Sequence, residues 1–202
     1  MTTWANYFFE VPDALAENDE VRETSVELVD SEPIHAKAVE GGDREEQFRE
    51  ILRAFLGTDL TYEEATERVR TELPRSESPH SHETSTTFNK QWVDRLVRSE
   101  GNRFYNHAVL LVLQDSGEER CYIPSFDDED RQKKCTRLLA ETEQSVDEML
   151  ENMRRAYRDE ECARTVIPSW FIRSSTSSPQ NLDLAFFRDI DLPAPWMPLP
   201  NV

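Results

Sequence analysis

Glycine is scarce in this chain of 202 residues: the five are Gly41, Gly42, Gly57, Gly101 and Gly117. None occupies a strand-to-helix turn of the kind that cradles phosphate, which excludes the P-loop and the dinucleotide fingerprint. Cysteine is rarer still, with only Cys121, Cys135 and Cys162. An odd number without close spacing excludes a disulfide framework and reads as reduced thiols. Long apolar runs are missing too. The longest, Ala108 to Leu113, is strand-sized and far short of the roughly 18 residues of a membrane span. Met1 to Glu10 lacks the basic start, apolar centre and small-residue cleavage site of a secretory signal, so a cytoplasmic or virion-internal location is expected. Lysine occurs only at Lys37, Lys90, Lys133 and Lys134, leaving arginine to supply nearly all positive charge.

Acid is what the chain has in plenty. The formal net charge is -18, from 41 acids against 23 bases. Met1 to Ser85 carries 21 acids and 8 bases, while Thr86 to Val202 carries 20 and 15. Such a surface disfavours direct binding to nucleic acid or anionic membranes, because phosphate contacts need basic residues. A host with molar internal salt and an ordinary acidic protein are both compatible with it. Mean hydropathy is -0.72, yet 37% of residues are hydrophobic, enough for a folded core beside polar segments.

The N-terminal region opens with an aromatic cluster, Trp4, Tyr7, Phe8 and Phe9, expected to dock on the main body or on a neighbouring subunit. Val26 and Leu28 alternate with polar residues like a short strand, and Gly41-Gly42 reads as a hinge. Two helices follow. Asp43 and Thr61 are each placed to cap a helix, with Glu46 and Glu64 at the reciprocal position, and Phe48, Ile51, Leu52, Phe55 and Leu56 share the inner face of the first. Ala65, Val69 and Leu73 do so in the second. Its many glutamates argue for packing rather than reading DNA. Pro74 to Thr87 is polar and of low complexity, a linker by composition; its His80 and His82 lack the further ligands of a metal site.

Phe88 to Glu100 reads as a helix stopped by Gly101. Phe104 to Leu113 and Glu119 to Phe126 then read as a hairpin turning on Ser116-Gly117, which would pair Val112 with Cys121 and Leu110 with Ile123. From Asp128 to about Cys162 the apolar residues Cys135, Leu139, Thr142, Val146, Met149, Met153 and Ala156 recur four then three apart, the stripe of one helix on the order of 50 Å long. Thr165 to Arg173 and Leu182 to Leu192 look like further strands. The end, Pro193 to Pro200, should run extended, with Trp196, Met197 and Leu199 seeking cover in a groove.

No catalytic constellation emerges. The register above holds Cys121 and His107 roughly 17 Å apart at about 3.4 Å per residue, too far for a nucleophile and its base. Cys121, Cys135 and Cys162 lack zinc-module spacing. Asp183, Asp189 and Asp191 could hold a divalent metal for hydrolysis. Arg131, Lys133, Lys134 and Arg137 follow a run of acids that neutralises them.

The expected fold is α+β: a small antiparallel sheet packed against one long amphipathic helix, preceded by an acidic helical hairpin, with extended N- and C-terminal arms. The expected division is an arm over 1–42, the helical hairpin over 43–73, a linker over 74–87, the α+β core over 88–192 and a proline-rich tail over 193–202. The expected function is noncatalytic interaction or assembly, as a structural or accessory component of a larger complex or virus particle. It would work with a protein partner or as a homo-oligomer, through Trp4, Phe8, Phe9, Val146, Met149, Met153, Trp196, Met197 and Leu199, with no cofactor. An acidic inhibitor imitating nucleic acid is the alternative, and a metal-dependent hydrolase a lesser one.

Overall fold

A computed structural model describes residues 4–6, 8–124, 141–158 and 172–174. Six α-helices are formed there: α1 (Val11–Glu17), α2 (Asp19–Ser31), α3 (Arg44–Leu56), α4 (Tyr62–Glu72), α5 (Trp92–Asp115) and α6 (Val146–Arg158). Three short strands, β1 (Arg120–Ile123), β2 (Thr142–Ser145) and β3 (Arg173–Ser174), join antiparallel in the order β2-β1-β3. The fold is α+β, as expected, with helices dominant.

The helix at the centre is α5, and α2, α3, α4 and α6 all pack on it. From Phe104 to Leu110 every residue is buried. That is the segment expected to be a strand, and the structure corrects it. A helix enclosed on all sides need not alternate apolar and polar residues every 3.6, and the continuous apolar run Ala108 to Leu113 therefore looks like a buried strand. Gly101, expected as a stop, lies within α5. A Cβ there would come 3.1 Å from Phe55 and 3.2 Å from Phe8, so its missing side chain is what lets those rings approach the helix.

The hairpin register falls with that strand. Cys121 pairs with Gln144 and Ser174, and Ile123 with Thr142. The strand ends before Pro124, which cannot donate to a ladder. The expected long helix is interrupted as well, its stretches over 128–140 and 159–162 lying outside the described residues. Thr142–Ser145 is strand, and Glu141 has a φ of 61°, which no continuing right-handed helix can contain. The stripe at Val146, Met149 and Met153 is real, but it belongs to the 13-residue α6. Its spacing from Thr142 is coincidence.

The N-terminal region is not an extended arm between Phe8 and Ser31. The Asn18 side chain accepts from the Val21 N–H and caps α2, which buries Val21, Ser25, Leu28 and Val29 at helical spacing where a strand was expected. The helical hairpin of α3 and α4 forms as predicted. Phe48, Ile51, Leu52, Phe55 and Leu56 are fully enclosed on α3, as are Ala65 and Val69 on α4 and Leu73 just beyond it. Thr61 and Glu64 make the full capping box. Asp43 stands at the N-cap of α3 without a side-chain bond to the helix. Residues 74–87 form consecutive turns held to the body: the Arg44 guanidinium donates to the carbonyls of Ala38, Leu73 and Pro74.

Candidate functional site

Of the nine residues expected to mediate interaction, six lie within the described residues, and four of those are buried. Val146, Met149 and Met153 are 1%, 3% and 4% exposed, closed over by the chain itself. Phe8 is buried, stacked on Phe55 with ring centres 5.7 Å apart and edge-on to Tyr62 at 5.4 Å. Trp4 is partly buried against the same core. Phe9 differs: it is 60% exposed, the large hydrophobic side chain left open among the described residues. Trp196, Met197 and Leu199 lie outside the described residues, as do Cys135, Cys162, Asp183, Asp189, Asp191 and the basic run from Arg131 to Arg137.

Phe9 is framed rather than isolated. It packs edge-on to Tyr62, with centres 5.4 Å apart, and near Phe8 at 6.2 Å. The guanidinium carbon of Arg98 lies 5.3 Å from the Phe9 ring centre and 5.7 Å from that of Phe8, within cation–π range of both. Arg98 projects from the first turns of α5, Tyr62 from the start of α4, and Phe8 and Phe9 from a single 3-10 turn before α1. Burial of Phe8 fixes that turn and so directs Phe9 outward.

Arg98 also lines a hollow of about 580 Å³ at the N-terminal end of α5, together with Arg70, Lys90, Trp92 and Asp94. Its charged groups are the three cations and one carboxylate. Asp94 accepts from the Tyr62 hydroxyl, and burial and this bond both push the Tyr62 phenol up from its ordinary value. The nearest approach of Asp94 to Arg98 is 3.9 Å, too long for a hydrogen bond. Arg70 pairs with Glu67. The N-cap residue of α5, Gln91, makes no side-chain bond to the helix, so its positive dipole end faces the hollow uncapped. The cations come from two elements, Arg70 from α4 and Lys90 and Arg98 from the turn into α5 and its second turn, which is why no motif announces them.

Two other polar groupings serve the fold. On α5, Arg103 and Glu100 are buried with an N–O separation of 2.9 Å, and Arg103 donates to the Pro33 carbonyl, tying α5 to the chain leaving α2. Burial, with Arg154 and Arg103 adding, lowers the His107 pKa to about 4, so its imidazole is neutral at pH 7. Elsewhere His80 lies between two carboxylates, 2.6 Å from Glu40 and 3.1 Å from Glu83. Glu83 also receives Lys37 at 3.3 Å and the Thr87 hydroxyl at 2.6 Å.

Cys121 is buried, and its thiol is pushed up to about 12 by burial, which keeps it protonated and unreactive at neutral pH. Among the described residues, no group of three His, Cys, Asp or Glu side chains is placed to hold a metal ion, and no helix is long and apolar enough to cross a membrane. No family model, curated protein or solved structure matches the chain.

Proposed function

We propose that this chain is a noncatalytic interaction or assembly protein, a structural or accessory component of a larger complex or virus particle, and that it meets its partner around Phe9 and Arg98. The observation that carries this reading is Phe9 itself. A single exposed apolar side chain is ordinary; one packed on an aromatic neighbour and set against an arginine that itself lines a hollow has the composition of an interface centre, where aromatic residues and arginine are enriched. Burying such a ring against a partner contributes about 1.5–3 kcal/mol. The apolar stripe of α6 no longer supports assembly, since the chain covers it.

The test is the mass of the protein purified from its native source at that source's ionic strength, by size exclusion with light scattering. An oligomer or a stable partner complex is expected, and Phe9→Ser should release a monomer that remains folded by circular dichroism. A uniform monomer in the native extract would overturn the reading.

An acidic inhibitor imitating nucleic acid is favoured by one feature, the exposed row Glu20, Glu23, Glu27 and Asp30 along α2. At 1.5 Å rise per residue these carboxylates recur about every 4.5–6 Å along one face, a line of like charge such as a phosphate backbone presents, though more widely spaced than its roughly 3.4 Å axial step. Binding to a basic nucleic-acid enzyme that did not weaken with added salt would remove that reading.

A further inference from the structure

We propose that the hollow at the start of α5 receives a short acidic segment of a partner protein, with a carboxylate on Arg98 and a neighbouring apolar side chain on Phe9. This rests on the interaction reading above and names the chemistry of the partner.

The first ground is the state of Arg98. Its side chain is 41% exposed, yet two aromatic rings hold it in place, so little freedom is left to lose on binding. Its own carboxylate neighbour is 3.9 Å away and already receives the Tyr62 hydroxyl. A guanidinium fixed by its face has its N–H edge available, and that edge matches a carboxylate in a two-point fork. Lys90, in the turn that leads into α5 and also lining the hollow, supplies a second positive point.

The second ground is charge complementarity at the scale of the partner. The hollow is a local inversion on a chain whose net charge is -18. A duplex nucleic acid or an anionic membrane lays down phosphates over a wide footprint and would meet the surrounding carboxylates. A short peptide touches only the hollow and its rim, and at physiological ionic strength charges beyond about 8 Å are largely screened from it. A volume of about 580 Å³ holds a few side chains, not a folded domain. Phe9 beside Arg98 asks for an apolar group next to the acid, which a peptide supplies and a free anion does not.

The experiment uses the full chain and a fluorescein-labelled peptide of Glu and Asp around one Phe, read by anisotropy. Its Gln/Asn counterpart, the same acidic peptide with Phe replaced by Gly, and unlabelled inorganic phosphate complete the set. Saturable binding of the acidic Phe peptide is expected, weakening as salt is added. Arg98→Gln should weaken it about tenfold, with losses also in Lys90→Gln and Phe9→Ser, whereas Arg120→Gln, the same charge change at the exposed first residue of β1, should leave it unaltered. Thermal midpoints establish that each variant is folded. Absence of binding, equal binding of the Gln/Asn peptide, or indifference to Arg98→Gln would overturn the proposal. Phosphate displacing the peptide at comparable concentration would show a simple oxyanion site and overturn it too. Failure here with a native complex that Phe9→Ser dissolves leaves the interaction reading standing. Peptide binding by a protein that is a monomer in its native extract overturns that reading and not this one.

Discussion

Gly101 shows how one residue decides where the aromatic cluster can lie. It occupies the middle of a helix, where glycine weakens the backbone by about 1 kcal/mol relative to alanine, and Phe8 and Phe55 fill the space a side chain would take. Gly101→Leu should therefore destabilise the fold by about 1–3 kcal/mol through overpacking, despite leucine's better helix propensity. A chemical-denaturation midpoint that rises in this variant would mean the rings can move aside.

His80 is the residue whose effect depends on pH. Each ring nitrogen faces a carboxylate, Glu40 on one side and Glu83 on the other, with Lys37 beyond Glu83, so the doubly protonated ring is favoured and its pKa is raised above 6.5. The bond to Glu40 is the larger cause. A raised folded-state value means that the stabilisation is complete below 6.5 and lost as pH climbs through the raised value. Glu83 runs the other way. Its pKa is lowered from 4.5 to about 2, chiefly by the Thr87 hydroxyl, so its contribution holds above 4.5 and fades as the medium is acidified towards 2. Denaturation midpoints followed across both windows should fall at each end, and His80→Gln should flatten the alkaline fall, with a smaller effect on the acid one because His80 is among the groups that hold Glu83 down. Persistence of the alkaline fall in His80→Gln would place its origin elsewhere.

At the scale of elements, the helical hairpin is legible because local signals agree with tertiary ones: Thr61 and Glu64 form the predicted box, and the stripe from Phe48 to Leu56 is the face that is buried. The central helix is illegible for the opposite reason. The sequence around Ala108 to Leu113 carries no amphipathic period, since α2, α3, α4 and α6 cover α5 from several sides. The stripe ahead of Val146 misleads differently, by continuing a helical spacing across a chain that turns at Glu141. In the candidate site Phe9 is foreseeable as a terminal aromatic, whereas Arg98 is not. Its distance from Asp94 reads as an ordinary helix pair, and only the folded chain brings the Phe8 and Phe9 rings beneath it. Adjacent leucines test the helical assignment. Leu110 is fully enclosed while Leu111 is partly open. Leu110→Ala should cost about 2–5 kcal/mol and Leu111→Ala distinctly less, by urea denaturation. Equal losses would speak against the exposure that the helix gives each side chain.

For the whole molecule, the surplus of acid sets two salt dependences of opposite sign. A net charge of -18 opposes compaction by self-repulsion, which added ions screen. Ions also weaken the molecule's own ion pairs. Among the described residues these include surface pairs such as Arg70 with Glu67, whose side chains are 59% and 61% exposed, and such pairs contribute about 0–1 kcal/mol each. The enclosed Arg103–Glu100 pair, at 2% and 6%, is out of reach of screening. Relief of repulsion should thus prevail, and the thermal midpoint should rise as sodium chloride is taken from about 0.05 M towards 1 M. Chloride suits the measurement better than sulfate, which stabilises by exclusion from the surface whatever the charge. Over the same series the acidic peptide should bind the Arg98 hollow progressively less well, because that contact joins opposite charges. Scanning calorimetry and anisotropy in matched buffers would follow both. A midpoint that drops with salt would show that local pairing, and not net repulsion, governs the stability of this chain.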